Sequence, residues 1–280
     1  MLMRLLILLT SLLAASGARA QLLVTDLVGP ASLASGGRVA ILATLAPGQT
    51  LTLGPQARAV LAHLASGREF SLSGPGEFRL EADSVTGPGG AAISPSALPG
   101  GQLPAVSKTS RIAMAATRMR SLVGCEPDAD PVSAGLEPTD TLIGADERTL
   151  RWTPVANADT YWVSIGPPGG GSLGVQVTPA RSWQLPASIA LTPGQTYEWR
   201  VQAFRGTLLL GTRVGSFGVL TADAAARLAQ VAPAADAPLA HRVLQAAQWQ
   251  ELGARQRACR LWREIRAQRP DDAGLEALLR

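Results

Sequence analysis

The sequence of 280 residues predicts a mainly β chain of several domains that ends in an α-helical hairpin. Turn residues divide residues 21–83 into short strands about 8 to 12 residues apart, a spacing typical of a small all-β domain. Aromatic and aliphatic residues alternate with polar ones over 139–221, as they do in a β-sandwich. From residue 222 onward the apolar residues recur with the period of a helix.

Residues 1–20 have the three parts of a cleavable signal peptide. Arg4 supplies the positive charge, and residues 5–15 form an apolar run of 11 residues. Ala18 and Ala20 frame a small-x-small cleavage site. The apolar run is too short to span a bilayer, which takes about 20 residues. We therefore expect cleavage after Ala20, a periplasmic location and no integral membrane span; the alternative is an uncleaved anchor.

The mature chain has a nearly balanced charge. The formal net charge of the whole sequence is +4, and removal of the two arginines of the signal peptide leaves +2. Proteins that bind nucleic acid neutralise many phosphates with basic residues. We therefore expect no nucleic-acid partner.

The first β-domain, residues 21–83, shows its period most clearly near its end. Phe70, Leu72, Phe78 and Leu80 alternate with polar residues, which predicts strands that are buried on one face.

Segment 45–70 combines three turn-and-strand features. They are a leucine-x-x-glycine turn over 45–48, a turn-flanked strand that contains Arg58, and a second glycine turn at Gly67. This combination resembles the FecR-like periplasmic domain family and implies a small periplasmic β-domain. The transmembrane helix and sigma-factor-binding tail of ferric-citrate-type regulators have no counterpart here, so we do not expect that regulatory mechanism.

Residues 84–138 separate the two predicted β-domains. Most of this segment consists of Gly, Pro, Ser and Ala, a composition typical of a linker. Residues 111–122 have helical composition, which predicts at most a short helix within the linker.

The second β-domain, residues 139–221, contains alternating strands with Trp152, Tyr161 and Trp199 at inward positions. Segment 191–203 (LTPGQTYEWRVQA) resembles the E-to-F region of a fibronectin type III domain. The resemblance implies a β-sandwich in which the Tyr197 hydroxyl bonds back to the backbone upstream.

Residues 222–280 predict a helical C-terminal part. Ala258, Leu261, Trp262 and Ile265 form one apolar stripe, and Gly253 separates this helix from a preceding one at 239–252. The spacing of the small and aromatic residues and of the final proline resembles the tetratricopeptide helical hairpin; the matching residues are Ala246, Trp249, Ala258, Trp262 and Pro270. One such hairpin cannot bury both of its faces alone, so neighbouring helices or a partner must cover it.

The cysteines, Cys125 and Cys259, leave two alternatives. An oxidising compartment permits a disulfide between them, and two free thiols are the other possibility. A bridge would connect the linker to the last helix.

Two sets of residues are candidates for a binding surface. Trp162 and Trp183 are predicted to lie off the core face, with two alternatives for their role. Either they stack on sugars or anchor a protein partner, or they pack against the linker or a neighbouring domain. Arg255, Arg263 and Arg266 belong to an arc of arginines on the last helix. This arc is either the solvated face of an amphipathic helix or a surface for an acidic partner or anionic lipid.

The sequence shows no arrangement of catalytic or metal-binding residues. His63 and His241 are the only two histidines, and they fall in different predicted domains. There is no Gly-x-Ser-x-Gly nucleophile elbow and no cluster with the spacing of metal ligands. We therefore expect no enzyme, no cofactor and no metal.

These observations favour an exported, non-catalytic protein that mediates interaction or signal sensing at the cell envelope, with an envelope protein as partner. Two alternatives stay open. One is a module that binds carbohydrate, such as cell-wall peptidoglycan. The other is an accessory scaffold subunit of an envelope enzyme or membrane sensor.

Overall fold

The computed structural model describes residues 22–98, 125, 133–230, 236–270, 272 and 275. The predicted signal peptide, with Ala18 and Ala20, lies outside these residues, as does the predicted short helix at 111–122. The described part of the chain is mainly β, with four sheets and a helical C-terminal part. The prediction is confirmed at this level.

Nine short strands in two sheets form the first unit of the described chain. They are β1 (Leu22–Val28), β2 (Ala31–Leu33), β3 (Thr44–Leu45), β4 (Thr50–Leu53), β5 (Arg58–His63), β6 (Arg68–Ser73), β7 (Gly76–Leu80), β8 (Val85–Thr86) and β9 (Ser96–Ala97). One sheet has the order β3-β1-β5-β6-β9 and the other the order β2-β4-β7-β8. Phe70, Leu72, Phe78 and Leu80 are all buried in the core between the sheets, as their alternation predicts.

The first unit extends beyond residue 83, where the sequence predicts a linker to begin. Strand β8 pairs with β7, and β9 pairs with β6. Leu98, just after β9, is 4% exposed. A predicted linker over all of 84–138 is therefore wrong. Backbone pairing orders this Gly- and Pro-rich stretch, although its strands are only two residues long.

Eight strands in two sheets form the second unit. They are β10 (Leu136–Glu137), β11 (Thr141–Ile143), β12 (Thr149–Trp152), β13 (Thr160–Gly166), β14 (Gly174–Thr178), β15 (Ser182–Gln184), β16 (Thr196–Arg205) and β17 (Leu208–Val219). The sheets have the orders β10-β12-β15 and β11-β17-β16-β13-β14. Aromatic side chains of both sheets fill the core between them; they are Trp152, Tyr161, Trp183, Tyr197, Trp199 and Phe217.

Tyr197 joins β16 to the segment before it. Its hydroxyl oxygen accepts a hydrogen bond from the Thr192 backbone N–H at 2.8 Å, and its O–H donates to the Ala190 carbonyl at 3.1 Å. This is the contact that the resemblance implies for Tyr197. It fixes the corner where the chain crosses from one sheet to the other.

Three helices follow the second unit in the described residues: α1 (Ala222–Gln230), α2 (Leu239–Glu251) and α3 (Arg255–Gln268). Gly253 lies in the turn between α2 and α3 with a φ of 83°, a conformation that favours glycine. The predicted apolar stripe of α3 is buried, since Ala258, Leu261, Trp262 and Ile265 are at most 7% exposed.

The helical hairpin packs on the outer side of the β3-β1-β5-β6-β9 sheet. Leu23, Ala62 and Leu64 point away from the core of the first unit and join one apolar cluster with Val243 and Trp262. Strand β1 is therefore covered on both sides, with Leu22 and Val24 in the core and Leu23 against the helices. This sheet provides the cover that a single hairpin requires.

We predict that Tyr197→Phe lowers the free energy of unfolding by about 1–2 kcal/mol, because it removes two hydrogen bonds of a buried hydroxyl. Tyr161→Phe is the matched control, since the Tyr161 hydroxyl accepts one bond, from the Val155 N–H at 3.2 Å. Urea unfolding of both variants measures the difference. A Tyr161→Phe loss equal to or larger than the Tyr197→Phe loss would contradict this assignment.

Candidate functional site

Two arginines on α3, Arg257 and Arg260, bind carboxylates of the second unit. Arg257 Nη2 lies 2.9 Å from Glu147 Oε1, and the Arg257 guanidinium lies 5.3 Å from the centre of the Trp249 ring. Arg260 pairs with Glu137 and also approaches Glu147. Glu147 thus accepts two arginines, and charges that form such a network stabilise more than isolated surface pairs do.

Of the three predicted arc residues, Arg255 and Arg263 are exposed and Arg266 is partly exposed, and Arg263 also bonds within the chain. Arg263 Nη2 donates to the Cys125 carbonyl at 2.7 Å. Arg257 and Arg260 of the same helix also bind groups of this chain, yet Arg260 and Arg263 stay exposed. The solvated-face alternative therefore fits Arg255, Arg260 and Arg263, and a partner at this arc stays a prediction.

Cys125 and Cys259 are bonded to each other as a disulfide. Cys125 is 7% exposed within the apolar cluster of the hairpin, and Cys259 packs against that cluster. The bridge therefore holds residue 125 against α3, beside the Arg263 hydrogen bond.

A hydrogen bond and an ion pair also connect the hairpin to the first unit. His241 Nε2 lies 3.0 Å from Glu69 Oε2, which joins α2 to β6. Arg269 Nη2 lies 3.1 Å from Asp26 Oδ1, which joins the end of α3 to β1. The hairpin thus contacts both β-units, and its charged side chains form ion pairs with each of them.

A cleft of about 180 Å³ lies between the start of α3 and the second unit. Its lining includes Glu137, Glu147, Arg148, Arg257 and Arg260. Arg148 donates from Nη2 to two carbonyls of residues 186 and 189, at 2.5 Å and 2.6 Å. Since these side chains already bind protein groups, we interpret the cleft as part of the joint between hairpin and sandwich.

The two histidines lie apart. His241 is hydrogen-bonded to Glu69, whereas His63 is 4% exposed at the turn between β5 and β6. There His63 Nδ1 bonds with the Ser66 hydroxyl and accepts the Ser66 backbone N–H. Burial lowers the pKa of the His63 imidazole. This serine and histidine thus close the turn between β5 and β6.

Among the described residues, no group of three or more His, Cys, Asp or Glu residues is placed to hold a metal ion. No helix in that part of the chain is both long and apolar enough to cross a membrane.

The two candidate tryptophans have opposite environments. Trp183 is 7% exposed, because β15 pairs with β12 and places it opposite Leu150 in the core. The reading that placed Trp183 off the core face is therefore wrong. Trp162 is 51% exposed on the outer side of the five-stranded sheet. Its ring centre lies 5.5 Å from that of Phe204 on β16.

Exposed apolar side chains surround Trp162. Val177 lies directly opposite it on β14, and Val175 is on the same face two residues earlier. Leu209 lies opposite Phe204 on β17. Val175, Val177 and Leu209 are 58%, 52% and 47% exposed. We call this surface, formed by Trp162, Val175, Val177, Phe204 and Leu209, the Trp162 face.

Sequence reasoning found Trp162 but missed the other members of the Trp162 face. Val175 and Val177 flank Gln176 in an alternating pattern that ordinarily predicts one buried face. Here they share the side of Trp162 and face outward, while Gln176 lies opposite the buried Val163. These five residues become neighbours only through the order of their strands in the sheet, and no local pattern in the sequence predicts that order.

The comparisons with known proteins add no family. No protein-family model matches the chain, and no curated protein matches it either.

We predict that the double variant Cys125→Ser, Cys259→Ser has a free energy of unfolding about 4–5 kcal/mol lower, since the bridge joins residues 134 apart and restricts the unfolded chain. Urea unfolding of the oxidised chain and the variant measures this. The reduced wild-type chain is the control and should match the variant. Equal stability of the variant and the oxidised chain would contradict a structural role for the bridge.

Proposed function

We propose that this protein is a non-catalytic interaction protein of the cell envelope that binds a protein partner through the Trp162 face. The observation that supports this most is the grouping of exposed apolar side chains on a paired sheet. Such groupings on a folded surface typically mark interaction sites. Tryptophan is also among the residues that contribute most to protein interfaces.

The surroundings of the Trp162 face fit a protein partner. Gln202 lies opposite Trp162 on β16, and Arg200 and Glu198 continue along the same side of that strand. Arg200 Nη2 lies 3.5 Å from Glu198 Oε1, so the two charges are paired with each other. An apolar centre with a polar rim is the usual composition of a protein interface.

The sequence supports the location and the class. The signal-peptide pattern at 1–20 favours export to the periplasm. The resemblances to FecR-like, fibronectin type III and tetratricopeptide modules favour a protein that presents surfaces, in signal sensing or as an accessory scaffold of an envelope enzyme or membrane sensor. These assignments belong to the proposal, and fold alone constrains function weakly.

A carbohydrate ligand is the second candidate. Trp162 and Phe204 present neighbouring rings, with an angle of 48° between their planes. Aromatic side chains combine an apolar face with a fixed geometry and stack on apolar surfaces of ligands. Cell-wall peptidoglycan is the glycan that the predicted location would supply.

We predict that Trp162→Ala weakens partner binding at least tenfold and leaves the fold intact, because the ring is half exposed and outside the core. The measurement is cross-linking of the tagged mature chain in envelope extracts, with captured proteins quantified by mass spectrometry. Val28→Ala is the matched control, since Val28 is 42% exposed on the first unit.

Specific proteins captured by the wild-type chain and the Val28→Ala variant, but lost with Trp162→Ala, would support the proposal. Equal capture by all three chains would overturn the Trp162 face as the binding surface. Sedimentation with purified peptidoglycan is the second arm. Binding there that Trp162→Ala abolishes, without a captured protein, would replace the protein partner with the glycan.

A further inference from the structure

Strand β14 is an open edge of the five-stranded sheet. It is the last strand in the order β11-β17-β16-β13-β14. Its sequence, Gly174–Thr178 (GVQVT), contains no charge and no proline. Open edges in natural proteins are usually protected by charged residues, prolines or bulges, because they pair readily with other strands. None of these protections is present within β14.

The side chains of β14 are exposed although two of them are large and apolar. Val175 and Val177 are more than half exposed, and Gln176 between them is exposed too. The Gln176 side-chain amide donates to the Val177 carbonyl at 3.1 Å. An exposed side chain thus occupies a backbone acceptor that an incoming strand would otherwise use.

The sequence of β14 is complementary to itself. In an antiparallel pair centred on Gln176, this residue lies opposite its own copy, and Val175 lies opposite Val177 of the second copy. Both valine pairs then lie on the outer side of the sheet. Cross-strand pairs of β-branched residues stabilise a sheet, and an uncharged edge brings no like charges together.

We propose that β14 is the docking site for a second copy of this chain, so that two five-stranded sheets join into one of ten strands. The pairing involves a strand of only five residues, fewer than the roughly 20–30 residues a side of a standard interface. We therefore expect a reversible dimer in the micromolar range. An extended segment of another protein is the competing occupant, and the experiment below separates the two.

The pairing has a consequence for the Trp162 face. A twofold axis perpendicular to the sheet keeps the outer side of both copies on one side. Three strand spacings then separate the two β13 strands, and the register offsets the two Trp162 positions by two residues along the strands, which places them about 16 Å apart. A dimer would present two Trp162 faces side by side, and a partner with two sites would bind it with higher avidity.

A self-paired cysteine tests the register directly. Gln176→Cys places two thiols opposite each other across the axis, at a Cα separation that a disulfide accepts. The two native cysteines are bonded to each other, so they do not compete. Under mild oxidation we expect a covalent dimer. Thr212→Cys is the matched control, because Thr212 is exposed on β17, which β16 and β13 separate from β14, and this variant should stay monomeric.

Sedimentation velocity of the purified mature chain gives the second readout, with no partner protein present. We expect a monomer–dimer equilibrium whose dissociation constant rises at least tenfold with Val177→Lys, while the thermal midpoint stays unchanged. A wild-type chain that stays monomeric, together with Gln176→Cys that cross-links no faster than Thr212→Cys, would overturn the proposal. So would a monomeric chain whose capture of another protein is lost with Gln176→Lys, which changes the edge at a residue outside the Trp162 face, since the edge would then belong to that protein. Neither result depends on whether Trp162→Ala affects partner binding.

Discussion

The packing of the helical hairpin on the outer side of the β3-β1-β5-β6-β9 sheet is the contact on which the rest of the structure depends. Leu23 and Ala62 from the sheet and Trp262 from α3 share one buried cluster. Without the sheet, the apolar stripe of α3 would face water, and burial of each large apolar side chain contributes about 1.5–3 kcal/mol. The hairpin and the first unit therefore stabilise each other.

The same hairpin determines how the second unit is attached. The Gly253 carbonyl accepts the Leu142 backbone N–H at 2.8 Å, which joins the turn between α2 and α3 to β11. Arg257 and Arg260 then bind Glu147 from the next turns of α3. Helix α3 thus lies between the two β-units. Its apolar side packs toward the first unit, and its arginines bind carboxylates of the second unit. The outer side of the sandwich, on the strands far from the hairpin, is left as the apolar surface.

The sequence predicts those features that depend on local patterns. Alternation over two strands identifies Phe70 and Phe78 as core residues, and the helical period identifies the buried side of α3. The resemblance of segment 191–203 to a fibronectin type III domain implies that the Tyr197 hydroxyl bonds to the backbone upstream, and the hydroxyl makes these bonds. In each case the residues that decide the outcome are close together in the chain.

The features that the sequence does not predict depend on residues far apart. Arg260 binds Glu137, which is 123 residues away in the sequence, and no local pattern predicts this contact. Trp183 is buried because of its pairing with β12, on a strand of three residues that is too short to show a period. Strands β8 and β9 are shorter still, and their Gly- and Pro-rich surroundings favour a linker by composition. The residues of the Trp162 face lie on four strands, β13, β14, β16 and β17, and only the order of those strands shows that they are neighbours.

Hydrogen exchange of the intact, disulfide-bonded chain, followed by mass spectrometry, tests the mutual support of hairpin and sheet most directly. Residues that open in one cooperative step exchange with the same free energy. We expect the slowest amides of α2, α3, β1 and β5 to share one opening free energy and to lose protection together as urea is added. Rapid exchange throughout α2 and α3, while β1 and β5 stay protected, would contradict this expectation.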